Sequence, residues 1–146
     1  MRAKTSTWFE CVVKYERTNE EGNKQKVSEN YVVEAMSFTE AEAKIIKEIT
    51  PYATGDLEIK KIAPLSISEI FFSDKDKDDK WYKCKLAFIT IDEKSSKEKR
   101  TTVSYIVQAD SLKTAMEYVT KEMEQGMVDY LTSAINETKY MDVFCS

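Results

Sequence analysis

Tyr31-Val32-Val33-Glu34-Ala35-Met36-Ser37 returns later in the chain as Tyr105-Ile106-Val107-Gln108-Ala109-Asp110-Ser111, and that recurrence decides the fold. The match extends outward in both directions. Trp8-Phe9-Glu10-Cys11 returns as Trp81-Tyr82-Lys83-Cys84, and Glu69-Ile70-Phe71 returns as Asp142-Val143-Phe144. The offset is 73 residues at Trp8, 74 at Tyr31 and 73 again at Glu69, so one residue is inserted before Tyr105 and taken back later. A tandem duplication is therefore expected, with repeat 1 over about 7–73, a linker at 74–80 and repeat 2 over about 81–146. Halves this short sit near the lower limit for an independent core. One compact pseudo-dimeric domain over 1–146, with the repeats related by a pseudo-twofold, is the expected arrangement.

Within each repeat the pattern reads strand, strand, helix, strand. Phe9, Cys11, Val13 and Tyr15 share one face of the first strand by alternation, as do Tyr82, Cys84, Leu86 and Phe88 in the copy. Tyr31, Val33 and Ala35 face inward from the second strand, matched by Tyr105, Val107 and Ala109. Ser37-Phe38-Thr39-Glu40 is a capping box, in which the serine accepts from a free amide and the glutamate reaches back. Phe38, Ala41, Ile45 and Ile49 follow at helical spacing, and Leu112, Ala115, Val119 and Met123 follow Ser111 in the same way. Pro51 and Gly126 mark the helix ends. The third strand is expected over about 57–72, broken at Ala63-Pro64, and its copy over about 128–145, kinked near Asn136-Glu137. The class is α+β, with mainly antiparallel sheet and one helix packed on each half. The predicted core comprises Cys11, Val13, Tyr31, Val33, Phe38, Ala41 and Ile45, with Cys84, Leu86, Tyr105, Val107, Leu112, Ala115 and Val119. Two charge-dense segments, 18–26 and 92–100, are expected to be protruding loops.

Composition bounds the function. The net charge is −4, shared equally: 10 basic and 12 acidic residues up to Ser73, 12 and 14 after it. Nucleic-acid binders gather basic charge, so this balance disfavours a nucleic-acid partner. No apolar run approaches the ~20 residues of a membrane span, and Met1-Arg2-Ala3-Lys4 leads into polar residues. A cytoplasmic protein with no membrane partner is expected. In that compartment the three cysteines are read as thiols, Cys11 and Cys84 in the core, rather than as a disulfide.

The chain has no histidine, which excludes a Ser-His-Asp triad, a Cys-His dyad and every histidine metal site. Three scattered glycines exclude a Walker loop and a dinucleotide fingerprint. Asp74-x-Asp76-x-Asp78 starts like a calcium loop, but Asp79 stands where the turn needs glycine and Lys85 where it needs glutamate. Neither a metal nor a cofactor is called for, and no catalytic residue is assigned. The carboxylate pairs, such as Glu20-Glu21 and Glu40/Glu42, fall on predicted loops or exposed helix faces. Trp8 and Trp81 are the candidate binding surface, since aromatics on an open sheet stack bases or anchor protein interfaces. The competing reading has each ring opening its strand and packing inside.

The segment Tyr31 to Glu42, with Trp8-Phe9-Glu10-Cys11-Val12 and Glu69-Ile70-Phe71, resembles an uncharacterised family of about this length from Bacteroidetes bacteria and their phages. The resemblance implies a bacterial or mobile-element setting and carries no activity, so no residue role follows from it. The expected function is a non-catalytic protein-interaction or assembly module with an unidentified protein partner, accessory to a phage or mobile element. Two alternatives stand beside it: a nucleic-acid-binding accessory factor using the sheet aromatics, and a small enzyme without histidine chemistry. A homo-oligomer is left open.

Overall fold

A computed structural model describes all 146 residues. The fold is α+β, with nine strands in two mixed sheets and two helices. In chain order the elements are β1 (Arg2–Lys4), β2 (Trp8–Thr18), β3 (Lys24–Glu34), α1 (Phe38–Ile49), β4 (Glu58–Pro64), β5 (Glu69–Phe72), β6 (Lys80–Ile91), β7 (Glu98–Ala109), α2 (Leu112–Glu124), β8 (Asp129–Glu137) and β9 (Tyr140–Phe144). Two compact units result, each assembled from separated stretches of chain: Ser6–Ser66 with Lys139–Ser146, and Met1–Thr5 with Ile67–Thr138.

The α1 unit holds the sheet β4-β2-β3-β9. Strands β4, β2 and β3 are antiparallel, and β9 joins β3 in parallel. Helix α1 covers one face. Ala41, Ile45 and Ile49 meet Cys11, Val13, Tyr31 and Val33, all fully or nearly fully buried. The helix starts where the sequence places it. Ser37 Oγ accepts from Glu40 N at 3.1 Å, while the Glu40 carboxylate closes the amide of Met36 at 3.0 Å, one residue before the cap. A 3₁₀ turn at Thr50–Tyr52 carries Pro51 and ends it.

The α2 unit holds the sheet β1-β5-β7-β6-β8. Here β8, β6 and β7 are antiparallel, β5 joins β7 in parallel, and β1 lies antiparallel on β5. Helix α2 buries Ala115 and Val119 against Cys84, Leu86, Tyr105 and Val107. Its cap, Ser111, accepts from Thr114 N at 3.2 Å. Local details recur between the units. The bulge of β2 against β4 falls between Val12 and Val13, and that of β6 against β8 between Lys85 and Leu86. The cap serines share their backbone angles, φ −155° and ψ 165° at Ser37, φ −154° and ψ 165° at Ser111.

Three expectations need correction. The third strand of each repeat is not one broken strand but two. After Pro64 and after Glu137 the chain leaves its first sheet, and β5 and β9 pair in parallel within the other sheet. Proline 64 has no amide to extend the ladder, and the exits are closed alike: Leu65 N donates to Trp8 O, and Thr138 N to Trp81 O, both at 2.8 Å. The sheets are therefore mixed, while remaining mainly antiparallel as expected. Phe38 and Leu112 are not core residues; they are 55% and 49% exposed. Each is the first residue of its helix, where side chains lean past the end of the cylinder toward the N-terminus. Finally, the charged loops are shorter than expected, spanning 19–23 and 92–97, because 24–26 and 98–100 already belong to β3 and β7. Asn19 Oδ1 accepts from the amides of Glu21 and Asn23, and Gly22 at φ 85° completes that turn.

Candidate functional site

Where aligned stretches of the two units pack alike, matching positions should carry similar residues. One pair departs from this inside the core-facing side of the sheet. Glu29 stands opposite Val13 in the β2–β3 ladder, where β7 has Val103 opposite Leu86. Next along, Tyr15 stands opposite Val27, where β6 has Phe88 opposite Thr101. A carboxylate and a phenol thus replace a valine and a phenylalanine side by side. Glu29 is only 7% exposed. Burying a charge costs several kcal/mol unless it is paired and hydrogen-bonded (~1–4 kcal/mol less stable than a packed apolar substitute). Packing does not explain its presence.

The carboxylate is held on every side. Tyr15 OH donates a short hydrogen bond to Glu29 Oε1, and Tyr31 OH donates to the same oxygen at 3.0 Å. Arg17 Nη1 lies 3.3 Å from Oε2, with its own side chain 41% exposed. Burial, and then the neighbouring Glu29, raise both phenols above the usual tyrosine range, so both remain protonated donors. The cluster forms the floor of a hollow of about 510 Å³. Tyr52 from the 3₁₀ turn, Met141 from β9 and Glu20 from the β2–β3 turn complete its wall. The Asn19–Gly22 turn therefore shapes the rim, and β9 supplies the far side from the other end of the sequence. The hollow presents phenol rings, a thioether and two carboxylates around one arginine. Rings and carboxylates of this kind can bind and orient a cationic group.

The other candidates fall elsewhere. Trp8 and Trp81 are 1% and 3% exposed, and the Trp81 ring meets Phe72 edge-on at 5.7 Å. Neither offers a face to a base or a partner. Cys11 and Cys84 are buried thiols outside any disulfide, both pushed up to about 11 by burial, with Glu10 adding to the effect at Cys11. Cys145 is exposed. No three carboxylates or thiols come together in a way that would hold a metal ion. The linker is exposed except at Asp78, 2% exposed, whose Oδ2 accepts from Ser73 Oγ and, at 2.7 Å, from Tyr118 OH. This pins the linker to α2. No helix is long and apolar enough to cross a membrane.

Sequence reasoning passed over Glu29. It treated the strand by its alternation, in which Glu29 takes an inward position, without asking what an acid does there. The signal was present in the repeat alignment as Glu29 against Val103 and Tyr15 against Phe88.

A family described as a domain of unknown function (DUF4494) matches residues 7–146, and the chain belongs to that family. No curated protein matches it.

Proposed function

We propose that this protein is a non-catalytic interaction module and that the hollow over Glu29 receives a cationic side chain of its partner. The observation that carries the reading is the buried Tyr15–Glu29–Tyr31 cluster, placed where the sister repeat packs phenylalanine and valine. Aromatic walls over a carboxylate floor attract ammonium and guanidinium groups, by about 0.5–2 kcal/mol per ring contact. Arg17 holds that place in the free protein. Its single 3.3 Å contact from a half-exposed side chain is the kind worth about 0–1 kcal/mol, so an incoming cation displaces it at little cost. The reading of a non-catalytic role is supported by the direction of the shifts: the inner thiols and these phenols are all made less acidic, so the nucleophilic anion is scarcer at neutral pH. The same proposal includes a bacterial, phage-associated cytoplasmic setting and an origin by tandem duplication, which the matched caps and bulges support.

The test is a titration with blocked arginine and blocked lysine amides, read on the ring resonances of Tyr15, Tyr31 and Tyr52. Saturable shifts, absent with the neutral analogue citrulline and lost in Glu29→Gln, are expected. Equal responses from neutral and cationic probes would remove the reading.

A further inference from the structure

Each sheet contains a strand that arrives from the other half of the chain, β5 or β9, yet only β5 is covered on its outer side. In the α2 unit, β1 lies antiparallel on β5, pairing Lys4 with Ile70, Ala3 with Phe71 and Arg2 with Phe72. In the α1 unit, β9 pairs with β3 and with nothing beyond it. The repeat match aligns Ile70-Phe71-Phe72 with Val143-Phe144-Cys145. The uncovered edge is therefore the counterpart of an edge that, in the same molecule, carries a strand.

The local chemistry fits an open edge. In a parallel ladder, alternate residues turn their amide and carbonyl to opposite sides. Val143 N donates at 2.8 Å to the side chain of its own neighbour, Asp142. The amide that would meet a covering strand is thus closed provisionally by an exposed carboxylate. The opposite edge of this sheet is guarded: β4 carries Lys60, Lys61 and Pro64, residues that discourage strand addition. Strand β9 carries no lysine and no proline.

We propose that the outer edge of β9, over Val143 and Phe144, docks an extended segment of a partner protein, antiparallel and basic at alternate positions. The template for the occupant is β1 itself, Arg2-Ala3-Lys4, whose Arg2 guanidinium lies 5.0 Å over the Phe72 ring. The charge is complementary. Glu69 precedes the paired stretch of β5, and Asp142 takes the matching place before Val143. Main-chain bonding supplies the affinity of such strand addition, and the alternate side chains supply its selectivity. The edge argument is independent of the hollow; it shares with the proposed function only the premise of an interaction module.

The probe is the blocked heptapeptide Met-Arg-Ala-Lys-Thr-Ser-Thr, titrated into the full chain with amide resonances followed. Saturating shifts confined to Tyr140–Ser146 are expected, with a dissociation constant on the order of millimolar. Val143→Pro removes the outward amide and abolishes them. Asp142→Lys, a surface change that leaves the core intact, weakens binding about two- to five-fold, the worth of an exposed charge pair. Glu29→Gln leaves the peptide shifts unchanged, which separates this proposal from the hollow. Equal binding of the Glu-Ala-Glu version, shifts that map away from β9, or a β9-mediated dimer that excludes the peptide would each overturn it.

Discussion

Replacing Glu29 and Tyr15 with their counterparts from the other repeat separates function from packing. Glu29→Val alone removes the acceptor of two phenols and the partner of Arg17. Tyr15, 4% exposed, is left with a stranded hydroxyl, and a lost hydrogen bond to a charged group costs about 1.5–3 kcal/mol. Arg17, whose side chain is 41% exposed, recovers bonds to solvent, so the single variant should lose about 2 kcal/mol. Adding Tyr15→Phe removes the stranded hydroxyl and recreates the Phe88–Val103 arrangement. Exchange of a buried ion for packed apolar groups is neutral or stabilising, by up to about 4 kcal/mol. The double variant should therefore be at least as stable as the parent and above the single variant by about 2 kcal/mol or more, roughly 4–8 °C in a chain of this size. Thermal unfolding followed by circular dichroism measures it, and the cation titration should fall silent in the double variant. A double variant less stable than Glu29→Val would show that the cluster holds the fold together and refute the reasoning.

Arg17→Ala removes the internal competitor for Glu29 and should tighten binding of the arginine amide a few-fold in the same titration; weaker binding would mean that the hollow takes an anion. The thiols set the alkaline limit. Cys11 and Cys84 keep their protons in the fold up to about 11 while an unfolded thiol loses its own near 9.0, so the unfolded state binds fewer protons and stability should fall as pH rises through that window. Urea midpoints across the interval check this, and Cys11→Ala with Cys84→Ala should flatten the fall. A thiol reagent at neutral pH should modify Cys145 promptly and the buried pair only on unfolding. Gly22→Ala forces a side chain into φ 85° and should cost about 1 kcal/mol in chemical denaturation while disturbing the rim that Asn19 and Glu20 form.

Periodicity and punctuation carried the local structure. Alternation placed Cys11, Val13, Tyr31 and Val33 on the helix-facing side, and Ser37 and Ser111 began both helices, because a cap and a stripe are properties of adjacent residues. The partner of β5 was not legible. Glu69–Phe72 reads as the end of a strand that starts at about Leu57, and nothing in the segment says which sheet receives it. Parallel pairing of a four-residue strand depends on chain geometry after Pro64, which is a long-range property. The charged stretches misled for the opposite reason. Strand ends that face solvent on both sides lose their alternation, so 24–26 and 98–100 looked like parts of the loops. The hollow lies between these cases. Tyr15, Glu29 and Tyr31 were on one face by sequence, but Tyr52 and Met141 join them through the 3₁₀ turn and through β9, whose placement the sequence did not disclose.

Strands β5 and β9, which follow α1 and α2 in the chain, each cross to the sheet that packs on the other helix, and both the Met141 wall of the hollow and the open edge at Val143 depend on it. Cross-strand nuclear Overhauser effects test this directly. The expected result is backbone proximity of Ile70 to Ile106 and of Val143 to Val32. Proximity of Ile70 to Val32 and of Val143 to Ile106 would place each strand in its own repeat and contradict the account.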